Sequence, residues 1–315
     1  MTPLRDHLQQ YLTIRRSLGF HLSTTERILR RFVTFAESES ADYVDTALFV
    51  RWQERYGSAG RQTWAARLGI VRLFAQWLNG IDPRNEVPPR GLIPGQSRRP
   101  HPHIYSDEEI RRILNAAAEL PSVYGMRGLT YSTLIGLIAV TGLRVSEATA
   151  LNNNDLDVEA GVITVRCGKS GKQRLVPISD SALARLRAYA KERDRLLGRT
   201  PEPLFISERG TRPKDCSVEY NFASACQKIG LRPVQPENRH GRGPRIHDLR
   251  HTFAARTLLN WYRQGLDPNR EMIKLSTYLG HSNPKHTYWY IEAVPELLEL
   301  ASERVSRSLE REDQP

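Results

Sequence analysis

The stretch Pro83–Pro102, PRNEVPPRGLIPGQSRRPHP, breaks the chain: five of the eight residues from Pro88 to Gly95 are proline or glycine. Proline lacks a backbone donor and fixes its own φ, so neither a helix nor a central strand runs through such a segment. A chain of 315 residues, 39% of them hydrophobic, is long enough for two cores. The sequence is therefore read as a first domain over 1–82, a linker over 83–104, a second domain over 105–293 and a tail over 294–315.

Apolar spacing makes the first domain helical. Segments near Leu4–Leu18, Thr24–Ala36, Thr46–Tyr56 and Gln62–Leu78 each carry an apolar stripe; in the second, Ile28, Leu29, Phe32 and Phe35 share one face. Arg61, Arg67 and Arg72 stand at the margins of the fourth stripe, where cations remain available to a partner.

The second domain opens at Ser106, which caps a helix while Glu109 reaches back to close a capping box. A helix over about Arg127–Val140 is broken at Thr141-Gly142, and a short helix starts around Arg144. Gly161–Val165 and Arg174–Ile178 read as strands joined by the turn Cys167–Lys172, with a third short strand at Leu204–Ile206. Helices are predicted near Ser181–Leu197, Ser217–Ile229, His247–Trp261, Arg270–Leu279 and Lys285–Ile291, with a loop over Leu231–Pro244. The predicted fold class is mainly α with a small β-sheet.

The formal net charge of +11 points to a polyanionic partner, and both parts of the chain carry a cationic excess. The most apolar run, Leu134–Val140, is far too short to span a bilayer, and the N-terminal MTPLRDHLQQYL does not read as a signal peptide. A soluble cytoplasmic protein is expected. Cys167, Cys216 and Cys226 show neither disulfide nor metal spacing.

Four motifs bring phosphate-handling side chains together. In Thr141-Gly-Leu-Arg144-Val-Ser-Glu147, a guanidinium at the start of a helix can grip an oxyanion with two donors, and Glu147 can orient it. In the turn after the first strand, Lys169 or Lys172 can protonate a departing oxygen. In Arg245-Ile-His247-Asp-Leu-Arg250-His251, His247 and Arg250 fall three apart on one helical face and can donate to a phosphorane. His247 and His251 also have the spacing of a zinc pair, but Asp248 and Arg250 are the wrong neighbours for a metalloprotease helix. In Leu279-Gly-His281 and the tyrosine nine residues later, Tyr290, a histidine donor precedes a candidate nucleophile. A phenol of ordinary pKa near 10 attacks poorly unless cations favour the phenolate, and the other motifs supply them.

The ordered set TGLRVSE, GK, HDLRH, LGHS and Tyr290 resembles the tyrosine recombinases and phage-type integrases, a group that includes Xer recombinases and transposases of mobile elements. The resemblance spans nearly the whole chain, and no position of the family pattern is missing. It implies a helical core-binding domain and an α+β catalytic domain, with Arg144, Lys169, His247, Arg250, His281 and Tyr290 as catalytic residues and Glu147 in support. It also implies cleavage through a 3′-phosphotyrosyl link with no cofactor and no metal. The partners expected are double-stranded DNA with specific core sites and further copies of the chain in a synaptic tetramer, with related recombinases as possible additional members. A nucleoid-associated location follows from that role.

Arg61, Arg67, Arg72, Arg98, Arg99, Lys172, Arg174 and Arg245 are the further DNA-binding candidates. The tail reads as a helix with Leu297, Leu298, Ala301 and Val305 on one stripe, and the family resemblance implies docking on a neighbouring subunit. The wording around Tyr288–Tyr290 looks closer to recombinases of mobile elements than to chromosome resolvases, so integration, excision or transposition is the expected use. Three rivals remain open at this point: a strand-relaxing enzyme of the type IB topoisomerase kind, a catalytically silent DNA-binding protein, and a metal-dependent nuclease. The last lacks the acidic cluster it needs.

Overall fold

A computed structural model describes residues 4–95, 101–166, 173–234, 243–281, 283, 287, 288, 299 and 302. The chain forms two compact units that divide after Pro100.

The first unit is built from four helices, α1 (Leu4–Ser17), α2 (Ser23–Ser38), α3 (Thr46–Arg55) and α4 (Arg61–Asn79). Their apolar stripes meet in one core: Leu12, Leu29, Phe32, Phe49, Val71 and Phe74 are completely buried. Aromatic edges fill its centre, with Trp52 and Trp64 packed edge to face at a centroid distance of 5.0 Å. Asp45 caps α3 by accepting from the Leu48 backbone N–H at 2.6 Å. The segment after α4 lies on the same unit. Asn85 is buried and its Oδ1 accepts from the Val44 N–H at 2.9 Å, while Leu92 and Ile93 pack against the core.

The second unit starts with α5 (Asp107–Ala118), whose N-terminus carries the expected reciprocal cap between Ser106 and Glu109. The sequence of α6 (Met126–Thr141) is apolar almost all round, and the helix is correspondingly enclosed by its neighbours. It stops at Gly142, whose φ of 64° suits glycine and whose Cβ would stand 2.7 Å from the Phe253 ring. α7 (Val145–Ala150) follows at once.

A three-stranded antiparallel sheet comes next, in the order β1 (Leu156–Asp157), β2 (Val162–Val165), β3 (Arg174–Pro177), with Ile163 opposite Val176 and Val165 opposite Arg174. Helices α8 (Asp180–Leu197), α9 (Asp215–Lys228), α10 (Ile246–Arg263) and α11 (Pro268–Leu279) complete the described elements. The predicted strand at Leu204–Ile206 is not formed. Those three side chains are buried in the core, and the adjoining Pro203 makes only an isolated bridge to Asn152. The third strand is β1, too short to be legible in the sequence. The fold class is as expected, mainly helical with one small sheet. Among the described residues no helix is long and apolar enough to cross a membrane.

Candidate active site

Arg144, Glu147, Arg250 and His281 meet at the C-terminal end of α11, and His247 stands one turn before Arg250 on α10. The last carbonyls of a helix lack intrahelical donors and carry partial negative charge, so they attract cations. Three arginines from three distant segments satisfy three consecutive carbonyls. Arg174 Nε donates to Tyr278 O at 2.7 Å, Arg250 Nη2 to Leu279 O at 2.6 Å, and Arg144 Nη2 to Gly280 O at 3.2 Å.

Arg144 is the residue just before α7, in extended backbone, with its side chain 19% exposed. Its backbone N–H donates to Glu147 Oε2 at 3.0 Å and its Nη1 to Glu147 Oε1 at 2.7 Å, which is the orienting contact expected from the spacing. Arg174, at the start of β3, closes on the same carboxylate from the other side through Nη1 and Nη2 at 3.0 and 2.8 Å. Burial alone would raise the Glu147 pKa; the hydrogen bonds and charges of Arg174 and Arg144 outweigh it and hold the carboxyl at about 2. The cluster thus keeps an ionised carboxylate, and three guanidiniums less one carboxylate leave a net charge of two for an anion.

α10 supplies the HxLR pair. Arg250 is 1% exposed and bridges two motifs, since its Nη1 donates to Gly142 O at 2.7 Å while Nη2 holds Leu279 O. His247, one turn earlier, faces solvent and packs edge to face with buried His251 at 4.7 Å. Protein atoms crowding the His247 ring, and then the charge of Arg250 with smaller effects from Arg245 and Arg144, push its pKa down to about 4. Because the ring is exposed, water tempers the first of these causes, and the cationic neighbours are the firmer one. His247 is therefore a neutral imidazole at pH 7. Arg245 caps α10 by donating through N and Nη2 to buried Asp248, both at 2.8 Å.

His281 follows the turn at Gly280 (φ 67°), and its Nδ1 lies 2.7 Å from Oγ1 of fully buried Thr287. Thr287 so fixes the ring; sequence reasoning had no signal for it. Nor did the sequence mark Arg174 as part of this cluster, since it was read as a DNA-contacting cation and its side chain is only 10% exposed. Lys169, Lys172, Tyr290, Arg98, Arg99 and the proposed tail stripe lie outside the described residues.

In the first unit Arg61 is exposed, while Arg67 and Arg72 are half-buried. Arg67 lies over the Trp64 ring at 4.4 Å. Partial burial and the nearby charges of Arg31 and Arg27 lower the Arg67 pKa, so these three cations share one face with no acid among the described residues paired to them.

The phage integrase family matches residues 104–296. An integrase/recombinase of Sinorhizobium fredii, y4rB, is 41% identical over 315 residues, covering 98% of this chain and 99% of the relative. The tyrosine recombinase XerD of Caulobacter vibrioides is 30% identical over 242 residues, 75% of this chain and 72% of its own. Among solved structures, the integrase of the transposon Tn1549 in complex with transposon right-end DNA superposes with a TM-score of 0.66 at 18% identity, over 96% of this chain and 98% of that one.

Proposed function

The chain belongs to the phage integrase family of tyrosine recombinases, enzymes that break and rejoin DNA, and from that premise we infer which of its groups carry each step. The observation that carries the reading is the convergence of Arg144, Arg250 and His281 on the end of α11, with His247 one turn before Arg250.

The Tyr290 hydroxyl attacks the scissile phosphorus. Its oxygen forms a bond to phosphorus as the bond to the 5′ oxygen breaks, leaving a 3′-phosphotyrosyl link and a free 5′-hydroxyl. Negative charge builds on the nonbridging oxygens on the way, and fixed donors are most effective there because they need no reorganisation. Arg144 and Arg250 supply them. His247, neutral in the DNA-free protein, is suited to take the phenol proton or to share it with the phosphate. His281, its ring fixed through Nδ1 against Thr287, is a further hydrogen-bonding group for the phosphate. Lys169 gives a proton to the departing 5′ oxygen. A 5′-hydroxyl from the partner duplex then reverses the sequence, so the phosphoester is conserved and no metal or nucleotide takes part.

The substrate is duplex DNA bearing core sites of a mobile element, paired by a tetramer of this chain in the nucleoid. The first unit, with Arg27, Arg31 and Arg67 on one face, grips the backbone, and the tail links neighbouring subunits.

The test is a nicked suicide substrate carrying candidate element ends, incubated with the protein in EDTA. A covalent 3′-linked complex that maps to Tyr290 and vanishes in Tyr290→Phe is expected. Attachment at any other residue, or loss of cleavage with EDTA, sinks the reading.

A further inference from the structure

Arg174 is held by more than one motif of the site while belonging to none of the catalytic ones. Its guanidinium forks onto Glu147 at 3.0 and 2.8 Å and its Nε reaches Tyr278 O at 2.7 Å. It packs directly under the next turn as well: a Cβ on Gly280 would stand 3.0 Å from Arg174 Nη1. A residue whose task is to meet DNA would keep its donors toward solvent, and this side chain is nine-tenths enclosed.

We propose that Arg174 is a positioning residue for strand cleavage, fixing Arg144 through Glu147 and the His281 turn through the Tyr278 carbonyl, without touching phosphate itself. This rests on the function proposed above. Glu147 is shared between two arginines. With Arg174 gone, the buried carboxylate keeps only Arg144, and the Coulomb attraction of an otherwise uncompensated charge draws that guanidinium off Gly280 O and away from the phosphate position. At the same time Tyr278 O loses its donor, which loosens the helix end that presents Gly280 and His281. Arginine is required because its fork and Nε meet three acceptors at once, two carboxylate oxygens and one carbonyl, which a single ammonium on the same stem cannot copy.

The experiment measures single-turnover cleavage of the suicide substrate by the intact protein, alongside DNA affinity across a salt series. The proteins compared are wild type, Arg174→Met, Arg174→Lys, Glu147→Gln and the Arg174→Met/Glu147→Gln double variant. Arg174→Met is expected to bind DNA within about threefold of wild type with an unchanged salt slope, since no phosphate contact is lost. Its cleavage rate falls about 10²-fold, the scale of a displaced transition-state donor.

Arg174→Lys restores part of that rate by keeping charge near Glu147. The ratio of the Arg174→Met rate to the wild-type rate rises from pH 7 to pH 5, because Glu147 has lost the partner that kept it ionised and its protonation removes the charge that draws Arg144 aside. The double variant is no slower than its slower parent by more than about threefold, as non-additivity demands of groups acting through one another.

A salt slope shallower by about one with cleavage intact would make Arg174 a phosphate contact instead. Effects that multiply in the double variant would remove Glu147 from the route, and either result overturns the proposal. Should Arg174→Met lose its circular dichroism signature, Arg174→Lys carries the same split between binding and rate. Wild-type protein that forms no covalent complex refutes the function proposed above, whereas a cleaving wild type with an equally fast Arg174→Met refutes only the positioning role.

Discussion

Arginine is used in two opposite ways in the two units. In the first, Arg27 and Arg31 are exposed on α2, Arg67 lies along Trp64 on α4, and none has an acid partner among the described residues. In the second, Arg144, Arg174 and Arg250 have side chains no more than 19% exposed, and each is fastened to a backbone carbonyl of the α11 end. Mobile surface guanidiniums attract any phosphate over a Debye length and carry little geometry. Fixed ones recognise a single arrangement of oxygens, at the cost of desolvation that surrounding acceptors must offset. The difference teaches that one residue type can supply affinity in one unit and chemistry in the other, and that substitution should separate the two.

The largest effect is expected at Arg250. Arg250→Ala takes a donor from Gly142 O and Leu279 O inside the protein, each loss costing about 1–3 kcal/mol of stability, and, on the function proposed above, should lower the cleavage rate by about 10²–10³. Arg144→Ala should lose cleavage on the same scale but much less stability, because it is nearer solvent and Glu147 keeps Arg174. Urea unfolding and single-turnover cleavage of the two variants check this, with DNA binding retained by both. Equal loss of stability in the two would break the distinction between an interior arginine and one at the rim, and near-native cleavage by either would remove it from the site.

The helical framework was legible because it rests on local apolar periodicity: the stripe Ile28, Leu29, Phe32, Phe35 and the cap of Ser106 with Glu109 need no knowledge of distant residues. Leu204–Ile206 failed for the same reason. A buried apolar triplet looks like a strand to any local rule, and only the absence of a pairing neighbour beyond the Pro203 bridge distinguishes it. The catalytic motifs were readable as an ordered set, but not how they interlock. Nothing near Arg174 in the chain shows that it shares a carboxylate 27 positions earlier and a carbonyl 104 positions later. His247 and Arg250 share a spacing that suggests one face, yet the first is exposed and the second fully buried, because α10 turns its inner side to Gly142 and Leu279.

A smaller effect is expected from pH. His247 has a folded-state pKa of about 4, below the ordinary imidazole value of 6.5. Between those values the unfolded chain binds a proton that the folded protein does not, so stability falls as pH drops from about 6.5 towards 4 and is not regained below. His247→Asn should therefore show a flatter dependence of its urea midpoint on pH over that window than wild type. Parallel curves would mean that solvent around the exposed ring cancels both the crowding by protein atoms and the influence of Arg250. This sharpens the contrast between units, because it asks whether the fixed cations act on a neighbour even with no DNA bound.

The first unit offers the smallest and most diagnostic change. Arg27→Gln and Arg31→Gln remove exposed cations with no acid partner among the described residues, so unfolding should move by no more than about 0.5 kcal/mol. If each meets one phosphate, the slope of log affinity against log salt becomes shallower by about 0.9 per substitution. Arg67→Gln adds a loss of about 0.5–1 kcal/mol in stability from the Trp64 contact. Arg30 is the internal control: it sits between Arg27 and Arg31 in sequence but is paired with Glu26 at 2.7 Å, so its charge is already answered. Arg30→Gln should leave the slope nearly where it was. A slope that responds equally to Arg30 and Arg27 would mean that net charge alone governs binding, and the unpaired face of α2 and α4 would have no special claim on the phosphate backbone.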